Sequence, residues 1–158
     1  MATQLQLITI QSSKEAYVSE GEQLFVKKIN PYYPMTVDKI KSNSDGRGKQ
    51  SQKVEDEGQK ILKKLQPGGV VIVFDERGKN YSSEKFAQVL QSKLEESPKK
   101  IQFVIGGAFG LSEEIKSKAD FKVSLSSMVM NHHIAELVVL EQIYRACTII
   151  RGIPYHNA

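Results

Sequence analysis

Apolar residues form five short runs along the chain, and stretches with a mixed apolar and polar pattern separate them. Two of the runs, residues 70–74 and, apart from Gln102, residues 101–105, are apolar without alternation, which is typical of strands buried on both faces of a parallel sheet. Strands are predicted at 5–10, 35–40, 70–74, 101–105 and 121–125, and helices at 13–29, 54–65, 83–94, just after 112, and 132–150. This alternation predicts an α/β fold with a mostly parallel sheet and helices on both faces.

Serine residues precede three of the predicted helices. Ser13, either Ser82 or Ser83, and Ser112 each stand just before an amphipathic stretch. A serine hydroxyl in that position accepts a hydrogen bond from a first-turn amide that has no partner within the helix. We therefore expect these serines to be N-caps.

The predicted last helix, residues 132–150, has more apolar residues than a single face can hold. They are Ile134, Ala135, Leu137, Val138, Val139, Leu140, Ile143, Ala146, Cys147, Ile149 and Ile150. A helix that is apolar nearly all round must bury two faces, one of them on its own sheet. In a monomer the other face would exceed the few hundred Å² of apolar patch that soluble monomers tolerate. We therefore expect a homodimer in which the same helix of a second copy covers it.

The length of 158 residues predicts a single domain, residues 1–158, with its own hydrophobic core. A formal net charge of +4 favours an anionic partner only weakly, since net charge concerns association rather than fold. The polar, glycine-containing segment 42–52 carries Arg47 and Lys49. It has two interpretations: a solvated surface loop, which is the commoner case, or a loop whose cations reach RNA phosphates.

The remaining composition bears on location and chemistry. No apolar run approaches the ~20 residues that cross a bilayer, and the amino terminus lacks the basic region of a secretory signal. The only cysteine, Cys147, lies in a helical pattern and is expected to be buried and structural rather than catalytic. We expect a cytoplasmic protein, or an organellar one if a transit peptide has been removed. Cys, His and carboxylate residues do not cluster at metal-ligand spacing, so no metal is predicted.

Gly106, Gly107 and Gly110 follow the fourth predicted strand and precede a helix. The G-G-x-x-G spacing after a late strand does not fit a dinucleotide-binding loop, which needs G-x-G-x-x-G after the first strand. The glycines alone are also compatible with a simple tight turn. However, ligands of parallel sheets bind at the carboxyl ends of strands. Residues 74–75, 106–107 and 124–131 together would form a site for a flat heterocycle such as adenine, with apolar walls from residues 128–130.

Five motifs together resemble one known family. They are FDERGK (74–79), FVIGGAFG (103–110), SLSSMVMNH (124–132), EQIYRA (141–146) and RGIPYH (151–156). The chain is similar, over essentially its whole length, to the RlmH-type members of the SPOUT methyltransferases, which methylate N3 of a pseudouridine in 23S ribosomal RNA. The resemblance implies an α/β-knot fold with a C-terminal trefoil knot, S-adenosylmethionine as methyl donor, an obligate homodimer, and ribosomal RNA or the assembled ribosome as partner.

The resemblance also implies roles for individual residues. Expected cofactor contacts are Phe74, Asp75, Gly106, Gly107, Ser126, Ser127, Met128, Val129, Met130 and Asn131. His132, Tyr155 and His156 are the expected catalytic residues, which orient the base or relay its proton. The alternatives are a helix-start histidine that bonds backbone for His132 and a frayed terminus for the Tyr155–His156 pair.

Three positions depart from the common family pattern. Asn131 replaces a proline, Glu136 replaces an arginine, and Ala108 replaces a residue that is often proline. Loss of a cation at 136 keeps open a rival function, a non-catalytic ribosome-binding or assembly factor. A second rival is a SPOUT methyltransferase that acts on another RNA base.

The last predicted helix allows two smaller predictions. Arg145 is expected to pair with Glu141, four residues earlier on the helix, in preference to anchoring a phosphate. His133 is expected to face solvent.

Overall fold

The computed structural model describes residues 2–11, 13–42 and 49–157. Its elements are β1 (Gln4–Gln11), α1 (Ala16–Ile29), β2 (Met35–Lys41), α2 (Gln50–Lys64), β3 (Val70–Asn80), α3 (Ser83–Glu95), β4 (Lys100–Ile105), α4 (Glu113–Ser117), β5 (Phe121–Ser124) and α5 (His132–Arg151). Within these residues the strands form one sheet in the order β2-β1-β4-β3-β5, and every pair is parallel. The predicted α/β class is confirmed.

Apolar side chains from both faces of the sheet are buried, as the continuous apolar runs predict. On one face, Leu7 and Ile72 belong to a core cluster that includes residues of α1, α3 and α5. On the other face, Ile8 and Val73 pack with residues of α2 and α4. Adjacent strand residues point to opposite faces, so a strand covered by helices on both sides is apolar at most positions; Gln6, Thr9 and Gln102 are the buried polar exceptions.

Two of the three predicted serine caps are confirmed. Ser82 Oγ accepts a hydrogen bond from the Lys85 amide at 3.2 Å, and Ser112 Oγ accepts one from the Ile115 amide at 3.3 Å. The prediction for Ser13 is wrong, because α1 begins at Ala16 after Glu15, which makes no side-chain cap.

β3 is longer than predicted and irregular. It pairs with β5 up to Phe74, leaves the ladder, and pairs again from Lys79. Gly78 permits the return: a Cβ there would lie 2.7 Å from the Lys122 backbone. The intervening residues are polar and carry no apolar period, so the sequence pattern ends at 74.

α2 also begins earlier than predicted, at Gln50. Its first turn is polar, so the apolar pattern of the sequence did not reveal that turn. Of the predicted 42–52 loop, residues 43–48, including Arg47, lie outside the described residues. Lys49 immediately precedes the helix. Whether this segment reaches RNA therefore stays a prediction.

Candidate functional site

A cavity of about 500 Å³ opens at the carboxyl ends of the central strands. Its walls come from residues 74–77 of β3, where that strand leaves its ladder with β5, from the chain after β4, from the segment that joins β5 to α5, and from parts of α4 and α5. The volume lies within the range of sites for small organic molecules. The three strand ends predicted from the sequence therefore meet at a space of the size that the sequence interpretation requires.

Most of the residues predicted to contact the cofactor line this cavity. They are Phe74, Asp75, Gly106, Gly107, Ser126, Met128, Val129 and Met130. Ser127 and Asn131 are not among the lining residues. Asn131 instead caps α5, since its Oδ1 accepts a hydrogen bond from the His133 amide at 2.8 Å.

The wall formed by residues 74–77 of β3 combines a buried aromatic ring with a carboxylate. The Phe74 ring is buried against Phe86 and Phe103, with ring centroids 6.3 Å away in each case. Asp75 follows at once, and its Oδ2 lies 3.5 Å from Lys116 Nζ on α4. The strand end thus presents a fixed carboxylate acceptor, with a cation beside it, above an apolar floor.

The wall after β4 is a closed turn of bare backbone. The Gly110 amide donates to the Gly107 carbonyl at 3.1 Å, and Gly110 has a φ of +87°. A Cβ on Gly106 would lie 2.8 Å from the Gly110 carbonyl, so a side chain does not fit there. The glycines therefore make a tight turn, and that same turn exposes main-chain groups to the cavity.

The third wall is the segment that joins β5 to α5. It is polar near Ser126 and apolar at residues 128–130. Ser124 Oγ donates to the Ser126 carbonyl at 3.1 Å, and Ser126 Oγ accepts from the Met128 amide at 2.9 Å. These bonds turn the chain so that Met128 and Val129 stand out, 79% and 86% exposed. Two adjacent apolar side chains of this size are seldom left exposed in a soluble protein unless a ligand or a partner binds over them.

His132 stands at the cavity edge, at the start of α5. Burial lowers the pKa of its imidazole, and neighbouring His133 and Lys39 lower it further. An imidazole in this environment is neutral near pH 7 and is able to accept a proton. Among the expected catalytic residues, His132 is the one that lines the cavity.

The prediction that His133 faces solvent is wrong. Its side chain is buried, and its Nε2 lies 3.4 Å from Ser13 Oγ. The first turn of α5 packs that side against the segment before α1, a contact between residues 120 positions apart. Helical spacing alone does not reveal such a contact.

A buried charge cluster lies one turn along α5 from His132. Glu136, 2% exposed, lies 3.3 Å from Lys39 Nζ of β2, and Lys39 also pairs with Glu22 of α1. Burial, with the neighbouring Glu22, raises the pKa of Glu136 to about 8. Sequence analysis noted Glu136 only as a departure from a pattern and missed the cluster, because its members are distant in sequence.

Tyr155 and His156 lie at the opposite end of α5 and do not line the cavity. Tyr155 Oη donates to Glu141 Oε1 at 3.1 Å, and the Tyr155 ring meets Tyr144 edge-on at 4.8 Å. His156 Nε2 lies 2.7 Å from Glu84 Oε1. The described part of the terminus is therefore packed rather than frayed. The pair packs on residues of α5 that follow His132 by nine or more positions, a rise of about 14 Å or more along the helix.

Two further predictions about side chains are confirmed. Arg145 Nη2 pairs with Glu141 Oε1 at 2.6 Å. Cys147 is buried, and that burial raises the pKa of its thiol to about 12, so the sulfur is an inert thiol at neutral pH.

Within residues 2–11, 13–42 and 49–157, His, Cys, Asp and Glu form no group of three or more that would hold a metal ion. The helices in this part of the chain also lack the length and apolar character needed to cross a membrane.

Comparisons with known proteins agree with this geometry. A family model described as "Predicted SPOUT methyltransferase" matches residues 3–156. The "Ribosomal RNA large subunit methyltransferase H" of Bdellovibrio bacteriovorus is 42% identical, over 96% of this chain and 97% of its own. The protein of that name from Carboxydothermus hydrogenoformans is 38% identical, over 98% and 99%.

Among solved structures, a probable methyltransferase from Bordetella pertussis is similar in fold, with a TM-score of 0.59 at 13% identity over 92% of this chain and 95% of that one. The family match covers nearly every residue and includes each wall of the cavity. The chain therefore belongs to the SPOUT family of S-adenosylmethionine-dependent methyltransferases.

Proposed function

We propose that the protein is a homodimeric enzyme that methylates N3 of a pseudouridine in large-subunit ribosomal RNA. The relatives named as large-subunit methyltransferases support the RNA class, and the family resemblance supports the base and the atom. The observation that carries the proposal is the juxtaposition of His132 with a cavity lined by bare backbone at three strand ends.

The cavity residues fit the adenosyl cofactor of the family. The Gly106–Gly107 backbone offers N–H and C=O groups to a flat base, and the apolar side chains of Phe74 and Met130 flank it. Asp75 offers a carboxylate acceptor for hydroxyl or amine groups. When bound there, S-adenosylmethionine supplies the methyl group. Ser127 and Asn131 remain predicted contacts on the strength of the resemblance alone.

His132 is the residue we expect to assist proton removal from the target base. The imide N–H of a pseudouridine is weakly acidic and must lose its proton as the new bond forms. A neutral imidazole at the cavity edge accepts that proton or orients the base through a hydrogen bond. Holding the base in line with the methyl group contributes a further part of the rate enhancement.

The Tyr155–His156 pair requires a second copy of the chain if it acts at a cavity. The pair packs on Glu84 and on Glu141 of α5 and does not line the cavity of its own protomer, so the cavity of another protomer is the one it would serve. The hydroxyl of Tyr155 stays protonated, because burial and nearby Glu141 raise its pKa. It is therefore a hydrogen-bond donor rather than a base.

An exposed apolar stripe offers a surface for that second copy. Tyr17 and Leu24 of α1 are 46% and 49% exposed and lie on either side of Gly21 at helical spacing. Leu137 of α5 packs over Gly21, where a Cβ would lie 2.4 Å from its Cδ2. Ile134, 44% exposed, is one turn away from Leu137. Such a stripe favours an isologous dimer that buries α1 and α5.

The rival assembly-factor function rested on the loss of a cation at position 136. Glu136 is buried and paired with Lys39, so position 136 presents neither a cation nor a free carboxylate to a ligand. The rival therefore stays open until cofactor binding and methylation are measured. The trefoil knot, the single domain over residues 1–158 and a cytoplasmic location remain proposals that follow from the family resemblance and the composition.

Two measurements test the function. Calorimetry with S-adenosylmethionine should give binding at sub-millimolar cofactor, and absence of binding would favour a non-catalytic factor. Incubation with ribosomes that lack the modification, followed by mass spectrometry of the ribosomal RNA, should place one methyl group on N3 of a pseudouridine. A methyl group on another base would favour the second rival.

A further inference from the structure

Phe109 is an unusual residue at the mouth of the cavity. It lines the cavity, yet its side chain is 48% exposed. The other phenylalanines in the described ranges are buried or half-buried. An exposed phenylalanine at a site mouth offers a flat apolar face to a ligand.

The turn that carries Phe109 holds it in one place. Gly107 and Gly110 close the turn through a backbone hydrogen bond of 3.1 Å. On the outer side the turn packs against α2, since a Cβ on Gly107 would lie 2.8 Å from Glu57 Oε1. Glu57 Oε2 in turn accepts a hydrogen bond from Ser42 Oγ at 3.0 Å. A ring on a fixed turn loses little conformational freedom when a ligand stacks on it.

A cation accompanies the ring. Lys53 lies one helical turn before Glu57 on α2, and its Nζ is 5.9 Å from the centre of the Phe109 ring. Lys49, just ahead of the helix, and Lys60, further along it, are further cations, while Glu55, Asp56 and Glu57 are the acidic residues of the same helix. Proteins that bind single-stranded RNA combine an aromatic side chain with nearby cations, because a base stacks on the aromatic ring and a phosphate pairs with the cation.

We propose that Phe109 and Lys53 form a stacking platform for an unpaired RNA base next to the target nucleotide. The proposal rests on the function proposed above and deepens it, because it names where the flanking strand lies. The target base enters the cavity toward His132, and its neighbour stacks on Phe109 at the rim. Lys53 contacts the phosphate that joins or follows the two nucleotides.

The test uses the full-length protein and ribosomes that lack the modification. Phe109→Ala should raise KM for ribosomes about ten-fold, with kcat and S-adenosylmethionine affinity little changed. Phe109→Tyr should restore KM, because it keeps a stacking face, and Phe109→Leu should not. Lys53→Ala should raise KM and lower its salt dependence, whereas Lys63→Ala, at an exposed lysine in the last turn of α2, is the matched control.

Three other outcomes are distinguishable: two would contradict the stacking platform, and one would contradict the proposed function. If Phe109→Ala weakens S-adenosylmethionine binding instead, the ring contacts the cofactor and the platform is overturned. If Phe109→Leu restores KM as well as Phe109→Tyr does, the ring meets an apolar protein surface rather than a base, and the proposal is again wrong. If the unaltered protein binds no cofactor and methylates no ribosome, the proposed function itself fails.

Discussion

The amino and carboxyl halves of α5 carry charge clusters that differ in burial. In the amino half, the Glu136 side chain is 2% exposed and shares Lys39, 23% exposed, with Glu22 of α1, 16% exposed. In the carboxyl half, from Glu141 onward, the side chains of Glu141 and Arg145 are 24% and 23% exposed and pair along one helix. Removing one member of a buried charged cluster costs several kcal/mol, whereas an ion pair near the surface contributes about 1 kcal/mol or less.

Because the two charge clusters differ in burial, we expect the two halves of α5 to have different roles. The buried cluster ties α1, β2 and α5 together one turn from His132, so the cavity edge exists before any ligand binds. The carboxyl half holds Tyr155 and His156 through contacts between part-exposed side chains, which contribute little to stability. A rigid half-site on one protomer and an adaptable tail on the other would together complete a site between two copies.

The largest expected effect is on catalysis at the rigid end. Replacing His132 with Ala should lower kcat for ribosome methylation by a factor of about 10² to 10⁴, because the residue near the base that accepts its proton is lost. Cofactor affinity, measured by calorimetry, should change little and serves as the control for folding. An unchanged kcat would leave His132 as a helix-start histidine without a catalytic role.

Breaking the buried cluster should have the next largest effect. Lys39→Met leaves Glu22 and Glu136 without their cation, and we expect a loss of about 3 kcal/mol in the free energy of unfolding near pH 8. Urea denaturation measures it, with Lys63→Met as the control on an exposed lysine. A loss no larger than the control would mean that the cluster does not hold α1, β2 and α5 together.

The same cluster predicts a pH dependence of stability. The pKa of Glu136 is about 8 in the folded chain, above its ordinary value of 4.5, so the folded state binds more protons between these limits. Its contribution is complete below pH 4.5 and is lost as the pH rises through 8, by up to about 1.4 kcal/mol per pH unit. Glu136→Gln should flatten the unfolding free energy between pH 5 and 8, and an unchanged slope would contradict the assignment.

The smallest effect on stability belongs to the adaptable end. Arg145→Ala removes the ion pair with Glu141, and the expected loss in unfolding free energy is about 1 kcal/mol or less, because both groups are part-exposed. The same unfolding experiment as for Lys39→Met gives a direct comparison. A loss equal to that of Lys39→Met would show that the two ends do not differ.

Sequence pattern predicted the parts of the fold that depend on neighbouring residues. The runs at 70–74 and 101–105 became the central strands because burial on two faces favours apolar residues on both sides of a strand; Gln102 is the polar exception and is hydrogen-bonded. Ser82 and Ser112 became caps because capping is local. The same rule failed at Ser13, whose hydroxyl contacts Glu15 and His133 instead.

The features that the sequence could not predict depend on contacts between distant residues. The return of β3 to β5 requires Gly78 to lie against the backbone of Lys122, and no local pattern encodes that approach. The burial of His133 and the pairing of Glu136 with Lys39 likewise depend on how α5 meets α1 and β2. For the candidate site, family motifs placed most of the residues that line the cavity, while the Phe109–Lys53 pair was not anticipated.

A crystal structure of the protein with S-adenosylhomocysteine tests the central claim most directly. We expect the adenosyl group in the cavity between residues 74–77 and 105–107, in a dimer whose second copy covers α1 and α5 and brings its carboxyl-terminal tail to the cavity mouth. A ligand bound elsewhere, or a monomer whose tail stays on Glu84 and Glu141, would contradict the account.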